Sequence, residues 1–259
     1  MSIEALPFVN WIFWAALTSG SLLVVGLTEL FGGTTRGYRL FMAGLLAVFA
    51  GILLLSELNL APGTVADETA EARRALVWAF AALALAYLVA SVLKLPRSGI
   101  AVAGGLVGIL ALVALASAGG TKSSPLFAAQ LILVALALGA VNAAMLLGHW
   151  YLVTPKLSPA PLRRMMWLLG AALVLQAVVF GVAMLAVSSG PLGGPIGWLT
   201  WLRLLVGIAL PIGITVLAYL ATRAASLQAS TGLLYIGLAF VMAGSIAAAS
   251  ITYLTGIPV

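Results

Sequence analysis

The sequence has no cysteine and a single histidine, His149. The first absence excludes disulfides, thiolate metal centres and thiol nucleophiles. The second excludes a multi-histidine metal site and bis-histidine haem within the chain, so no metal centre is expected. Charge is also scarce. Only 7% of the 259 residues are Asp, Glu, Lys or Arg, against about 25% in a soluble domain. A chain this poor in charge cannot cover a water-facing surface. With 64% hydrophobic residues and a mean hydropathy of +1.23, it is expected to be an integral membrane protein forming a single polytopic domain over 1–259.

Several motifs are missing as well. There is no Gly-rich phosphate loop, no His-Glu-Xaa-Xaa-His and no Ser/His/Asp set. No Asp or Glu falls deep at a bilayer midplane, which argues against ion-coupled transport. The start, Met1-Ser2-Ile3-Glu4, is acidic and does not resemble a cleavable signal peptide. The net charge of +6 is read as topogenic Lys and Arg rather than as a nucleic-acid surface.

What is present is a series of apolar runs, each roughly 20 residues long, the length of a spanning helix. They predict an all-α protein of eight transmembrane helices over 9–31, 39–60, 75–95, 99–119, 125–152, 163–188, 197–222 and 229–255. Turn residues punctuate them: Gly32-Gly33, Pro62-Gly63, Pro96, Gly119-Gly120, then Pro155, Pro159 and Pro161, then Pro191. The odd-numbered connections carry Arg36, Arg39, Lys94, Arg97, Lys156, Arg163, Arg164 and Arg223 and no acid. The even-numbered ones carry Arg73, Arg74 and Lys122 against Asp67, Glu68 and Glu71. This bias places the odd connections in the cytoplasm and both termini outside, across a plasma (inner) membrane. Trp11, Trp14, Trp78, Trp198 and Trp201 then form an outer aromatic belt. A short similarity between Ser19-Gly20 and Leu138-Gly139, each followed later by arginine at a helix start, points to tandem four-helix halves, 1–120 and 121–259.

The remaining polar residues sort by depth. Glu57 and Asn59 close helix 2 near the outer face, Asn10 opens helix 1, Gln130 lies early in helix 5, and Arg203 lies about one turn inside helix 7. An arginine at that depth snorkels, pairs, or serves a ligand. Glu57 lies at matching depth, so a Glu57–Arg203 ion pair is the simplest resolution, with separate snorkelling the alternative. Near the inner face lie Glu29 and His149. His149 is open to three readings: an interfacial residue, a proton relay, or a single axial haem ligand. Gln176 and Pro211 are mid-span, as an interhelical hydrogen bonder and a kink respectively.

The order of these features resembles the eight-helix membrane anchors of the dimethyl sulfoxide reductase and polysulfide reductase (NrfD-like) type. The similarity rests on Trp11…Ser19-Gly20, on Leu55-Ser56-Glu57-Leu58-Asn59-Leu60-Ala61-Pro62, on Trp201-Leu202-Arg203 and on Leu233-Leu234-Tyr235…Ala243-Gly244-Ser245. Glu57 stands where those anchors often carry His or Asp, and Ser245 where they often carry Glu. The resemblance implies exchange of electrons and protons with quinone or menaquinone near the outer face, without haem in the anchor. An iron–sulfur subunit and a molybdopterin catalytic subunit would dock at that face. Glu57 would be the proton acceptor, with Asn59, Arg203, Trp201, Asn10 and Gln130 lining the quinone pocket between helices 1, 2 and 7. Two other classes stay open: a small-solute transporter through the bundle, and a non-catalytic subunit of a respiratory or photosynthetic complex.

Overall fold

The computed structural model describes residues 5–60, 69–117, 124–154, 157–186 and 194–259. Among them the chain is helical throughout: α1 Ala5–Leu30, α2 Arg36–Leu58, α3 Ala70–Leu93, α4 Ser98–Ser117, α5 Ser124–Val153, α6 Ala160–Ala186, α7 Gly197–Arg223 and α8 Leu227–Thr255. All eight are long and apolar enough to cross a membrane. A helix suits that environment because it satisfies its own backbone where water is absent.

Some helices begin earlier than hydropathy predicts. α3 starts at Ala70 rather than at 75, so Glu71, Arg73 and Arg74 are helical. Hydropathy marks the hydrocarbon slab, whereas a helix continues through the interface because its end groups still need partners. The predicted ends at 118–119 and 187–188 fall outside the described residues.

α1 and α5 are the two most enclosed helices. α1 packs on α2, α4, α5 and α8, and α5 packs on α4, α6 and α8. α3 bridges α2 and α4, and α7 bridges α6 and α8. The α1–α5 crossing is a backbone contact. A Cβ built on Gly20 would collide with the Ala135 carbonyl, and one on Gly139 would collide with the Gly20 carbonyl. Just beyond, Asn142 Nδ2 donates to Ser21 Oγ at 3.0 Å. Lipid provides no hydrophobic drive between helices, so close approach and an interhelical hydrogen bond are what hold such a pair together.

The predicted kink at Pro211 takes a specific form. Leu202–Ala209 winds as a π-helix, and the Leu210 N–H donates five residues back to the Leu205 carbonyl. Proline has no N–H, and its ring crowds the carbonyl four residues earlier, here that of Gly207. The wider turns upstream relieve that crowding. Here too the helix meets its neighbour backbone to backbone, Gly207 against Gly244 of α8. Several buried hydroxyls are satisfied within their own helices: Ser19 donates to the Ala15 carbonyl, Thr215 to that of Pro211 and Ser245 to that of Val241.

Candidate functional site

Glu57 is buried, 3% exposed, in the last turn of α2. Its partner is Arg73 of α3, not Arg203. Arg73 Nη2 lies 2.9 Å from Glu57 Oε1, and Arg73 Nε donates to Oε2 at 3.2 Å. Trp11 Nε1 of α1 donates to the same Oε2 at 2.6 Å. The Arg73 guanidinium also stands over the Trp11 ring, 5.6 Å from its centroid. One carboxylate therefore ties three helices together. Two binding atoms are left over. Among the described residues Arg73 Nη1 is buried without a hydrogen-bond partner, and Glu57 Oε1, which accepts one bond from Arg73, keeps lone-pair capacity for another.

The predicted Glu57–Arg203 pair fails for a topological reason. α2 and α3 are antiparallel neighbours, so the first turn of α3 lies at the depth of the last turn of α2. Arg203 belongs to α7, whose neighbours are α6 and α8. Among the described residues α7 packs on neither α1 nor α2, so the contacts do not bring helices 1, 2 and 7 together as expected. Arg73 was the residue the sequence hid: hydropathy places it in a connection, whereas it is inside α3 and 4% exposed. The signal that could have found it is an acid and a base on either side of one connection, which antiparallel packing of consecutive helices brings to matching depth.

The other expected pocket residues separate into two groups. Asn10 Nδ2 donates to Ser56 Oγ at 2.8 Å, next to Glu57. Asn59 is exposed and donates to the Leu55 carbonyl at 2.7 Å, closing its own helix rather than facing the carboxylate. Gln130, Trp201 and Arg203 lie in the other part of the bundle. Gln130 Nε2 donates to the Val259 carbonyl, and its Oε1 is buried without a partner. Trp201 is exposed on α7. Trp11 is fully buried, so it is not part of an aromatic belt, whereas Trp78, Trp198 and Trp201 face outward as expected.

Arg203 does not snorkel. It is 1% exposed and donates from Nη2 to Gln176 Oε1 of α6 at 2.7 Å, and Gln176 Nε2 in turn donates to the Leu133 carbonyl of α5 at 2.9 Å. Arg203 Nε has no partner. The sequence contains no Asp or Glu after Glu71, so no side-chain carboxylate from α4 to α8 is available to balance this cation. Among the described residues, Gln176 Oε1 is the acceptor that meets it. Replacing Gln176 with leucine is expected to destabilise the protein by ~1–3 kcal/mol, because it strands a buried charge. Arg203→Met should cost less, since it strands only a neutral amide oxygen. Unfolding in a denaturing detergent series checks the order, and a larger loss for Arg203→Met would refute it.

At the opposite end of the bundle Glu29 has its own partners. Tyr87 OH donates to Oε1 at 2.5 Å, and Arg97 Nε lies 3.1 Å from Oε2. His149 is exposed, with Nδ1 3.2 Å from Tyr235 OH and the rings edge-on. That is a surface pairing at a helix end.

One turn inward from the Glu57–Arg73 pair, an apolar groove of about 340 Å³ runs between α2 and α3, lined by Ala50, Gly51, Leu54, Trp78 and Ala81 among others. Leu54 precedes Glu57 by one turn and Trp78 follows Arg73 by little more than one. The buried Glu57–Arg73 pair and the outward-facing apolar groove thus occupy the same α2–α3 seam about one turn apart, with neither charged residue in the groove's lining. Fold and site together define an eight-helix membrane-spanning bundle with a buried carboxylate–guanidinium–indole cluster near one end. No protein-family model, curated protein or solved structure matches the chain.

Proposed function

We propose that the chain is the membrane anchor of a respiratory oxidoreductase and exchanges electrons and protons with quinone at the α2–α3 seam. The observation that carries this reading is the buried Nη1 of Arg73, without a partner among the described residues, fixed beside Glu57 about one turn along the α2–α3 seam from an apolar groove. A quinone or menaquinone has a carbonyl to accept that donor and a hydrocarbon tail to lie in the groove. When bound as quinol, it supplies two electrons and two protons. Arg73 would hold the oxygen, and Glu57 Oε1 would take the two protons one after the other, passing the first toward the nearby helix ends before accepting the second. Trp11 keeps the carboxylate oriented by its bond to Oε2. The electrons pass to an iron–sulfur subunit, itself paired with a molybdopterin subunit, docked at the same end.

The loop charges place that end, with both termini, outside the plasma membrane. The chain forms two tandem halves, α1–α4 and α5–α8; the ring of contacts within each set and the Gly20–Gly139 crossing between them support this. A transport path would use Asn142 and Gln176. Both engage their amides in helix-to-helix bonds, which favours the anchor reading.

A direct test needs only the purified chain. A short-chain naphthoquinone is expected to quench tryptophan fluorescence saturably, because Trp78 lines the groove and Trp11 touches Glu57. Gly51→Phe fills the groove from a position where an added Cβ meets nothing within 4 Å; it should weaken binding about tenfold or more, an apolar steric effect of the order seen in packed pockets. Unsaturable quenching, or unchanged affinity in Gly51→Phe, would remove the site.

A further inference from the structure

At the Glu29 end, α1 finishes beside the start of α6. Between them is an apolar crevice of about 320 Å³ whose walls include Val24, Leu27, Met165 and Leu168. Val24 precedes Phe31 by seven residues, so the crevice runs roughly 10 Å inward from its mouth at 1.5 Å per residue. Phe31 and Arg164 form that mouth, and both are exposed. The Arg164 guanidinium stands 5.5 Å from the Phe31 ring centroid, and its Nη1 donates to the Phe31 carbonyl at 3.3 Å. That long bond engages one of five N–H donors. Among the described residues Arg164 forms no ion pair: the two that exist are Arg73–Glu57 and Arg97–Glu29. The crevice presents no open polar group of its own, since the Thr28 hydroxyl donates to the Val24 carbonyl.

The surrounding charge has one sign. The residues at this end include Arg36, Arg39, Lys94, Arg97, Arg163, Arg164 and Arg223. The acid at this end is Glu29, which Arg97 and Tyr87 already hold. A cation with free donors at headgroup level, above a hydrocarbon-lined slot, has the charge and polarity profile of one kind of molecule. We propose that this crevice binds an anionic phospholipid, with one acyl chain between α1 and α6 and the phosphate on Arg164. Basic pockets between membrane helices hold anionic headgroups through this combination of charge and apolar contact. The inference is independent of the quinone reading, which concerns the other end of the bundle.

The test uses the full chain, delipidated in neutral detergent, with lipid retention followed by native mass spectrometry and thermal unfolding. Phosphatidylglycerol is expected to stay bound and raise the unfolding midpoint. Phosphatidylcholine and inorganic phosphate are expected to do neither, the first for lack of net charge and the second for lack of a chain. Arg164→Gln, an exposed substitution, should lower phosphatidylglycerol affinity about fivefold. Arg223→Gln removes one charge at the same end and away from the crevice; it should leave affinity unchanged. Equal binding of phosphatidylcholine, stabilisation by phosphate alone, unaltered affinity in Arg164→Gln, or equal losses in the two variants would each overturn the proposal.

Discussion

Replacing Gly139 with alanine is expected to prevent assembly of the bundle, although the change adds a single methyl group. That methyl would occupy the position of the Gly20 carbonyl on α1, and the reciprocal methyl on Gly20 would occupy that of the Ala135 carbonyl on α5. Overpacking a core usually costs ~1–3 kcal/mol when side chains can shift. Here the obstacle is backbone, so the two helices have to move apart as rigid bodies. They are the most enclosed pair in the molecule, and α2, α4, α6 and α8 all pack on one or both of them. Separation also breaks the Asn142–Ser21 bond at the same seam. The loss should therefore exceed that range and read as little or no monodisperse protein after extraction. Gly213→Ala is the matched control. It lies in α7 where an added Cβ meets nothing within 4 Å, and it should be neutral or gain up to ~1 kcal/mol from helix propensity. If Gly139→Ala and Gly213→Ala behave alike, the α1–α5 crossing is not as close as described.

The second large effect concerns Glu57. Glu57→Gln leaves Arg73 buried with its charge unbalanced, and breaking one side of a buried ion pair costs about 3–5 kcal/mol. A loss of that size would confound any test of turnover, because an inactive variant would also be an unstable one. The double variant Glu57→Gln/Arg73→Met removes both charges and should recover most of the stability, since an apolar replacement of a buried pair is often neutral. The four proteins of the cycle, unfolded in a detergent series, isolate the coupling between the two residues. A strongly negative interaction term is expected. Additive losses would mean that the two groups are solvated separately and that the cluster is not the closed unit its distances describe. If the quinone reading holds, the double variant remains folded yet loses quinone affinity, whereas a purely structural role for Glu57 leaves affinity intact.

Much of the architecture was legible along the chain. Eight apolar runs of spanning length predict eight helices, and eight are present among the described residues. Helix starts were less legible, because the polar first turns of α2 and α3 lie outside the apolar window yet remain helical. Depth was legible too: Glu57, Asn10 and Arg203 were each expected near the same end, and their places in the element order agree. Lateral neighbours were not. A helix says how far along it a residue sits, but not which of seven other helices it faces.

That distinction divides the outcome for the polar residues. Burying an isolated charge in hydrocarbon is costly enough that composition alone required a partner or an escape for Glu57 and for Arg203. It could not say that the two would solve the problem separately, Glu57 with Arg73 and Trp11, Arg203 with Gln176. Length, hydrophobicity and the absence of cysteine determined an eight-helix membrane bundle without thiol chemistry, because those properties are summed over the chain and do not depend on packing. Only the tertiary structure decided which helices touch, and with that which charges pair, because the choice rests on backbone contacts at Gly20–Gly139 and Gly207–Gly244 that no local pattern encodes.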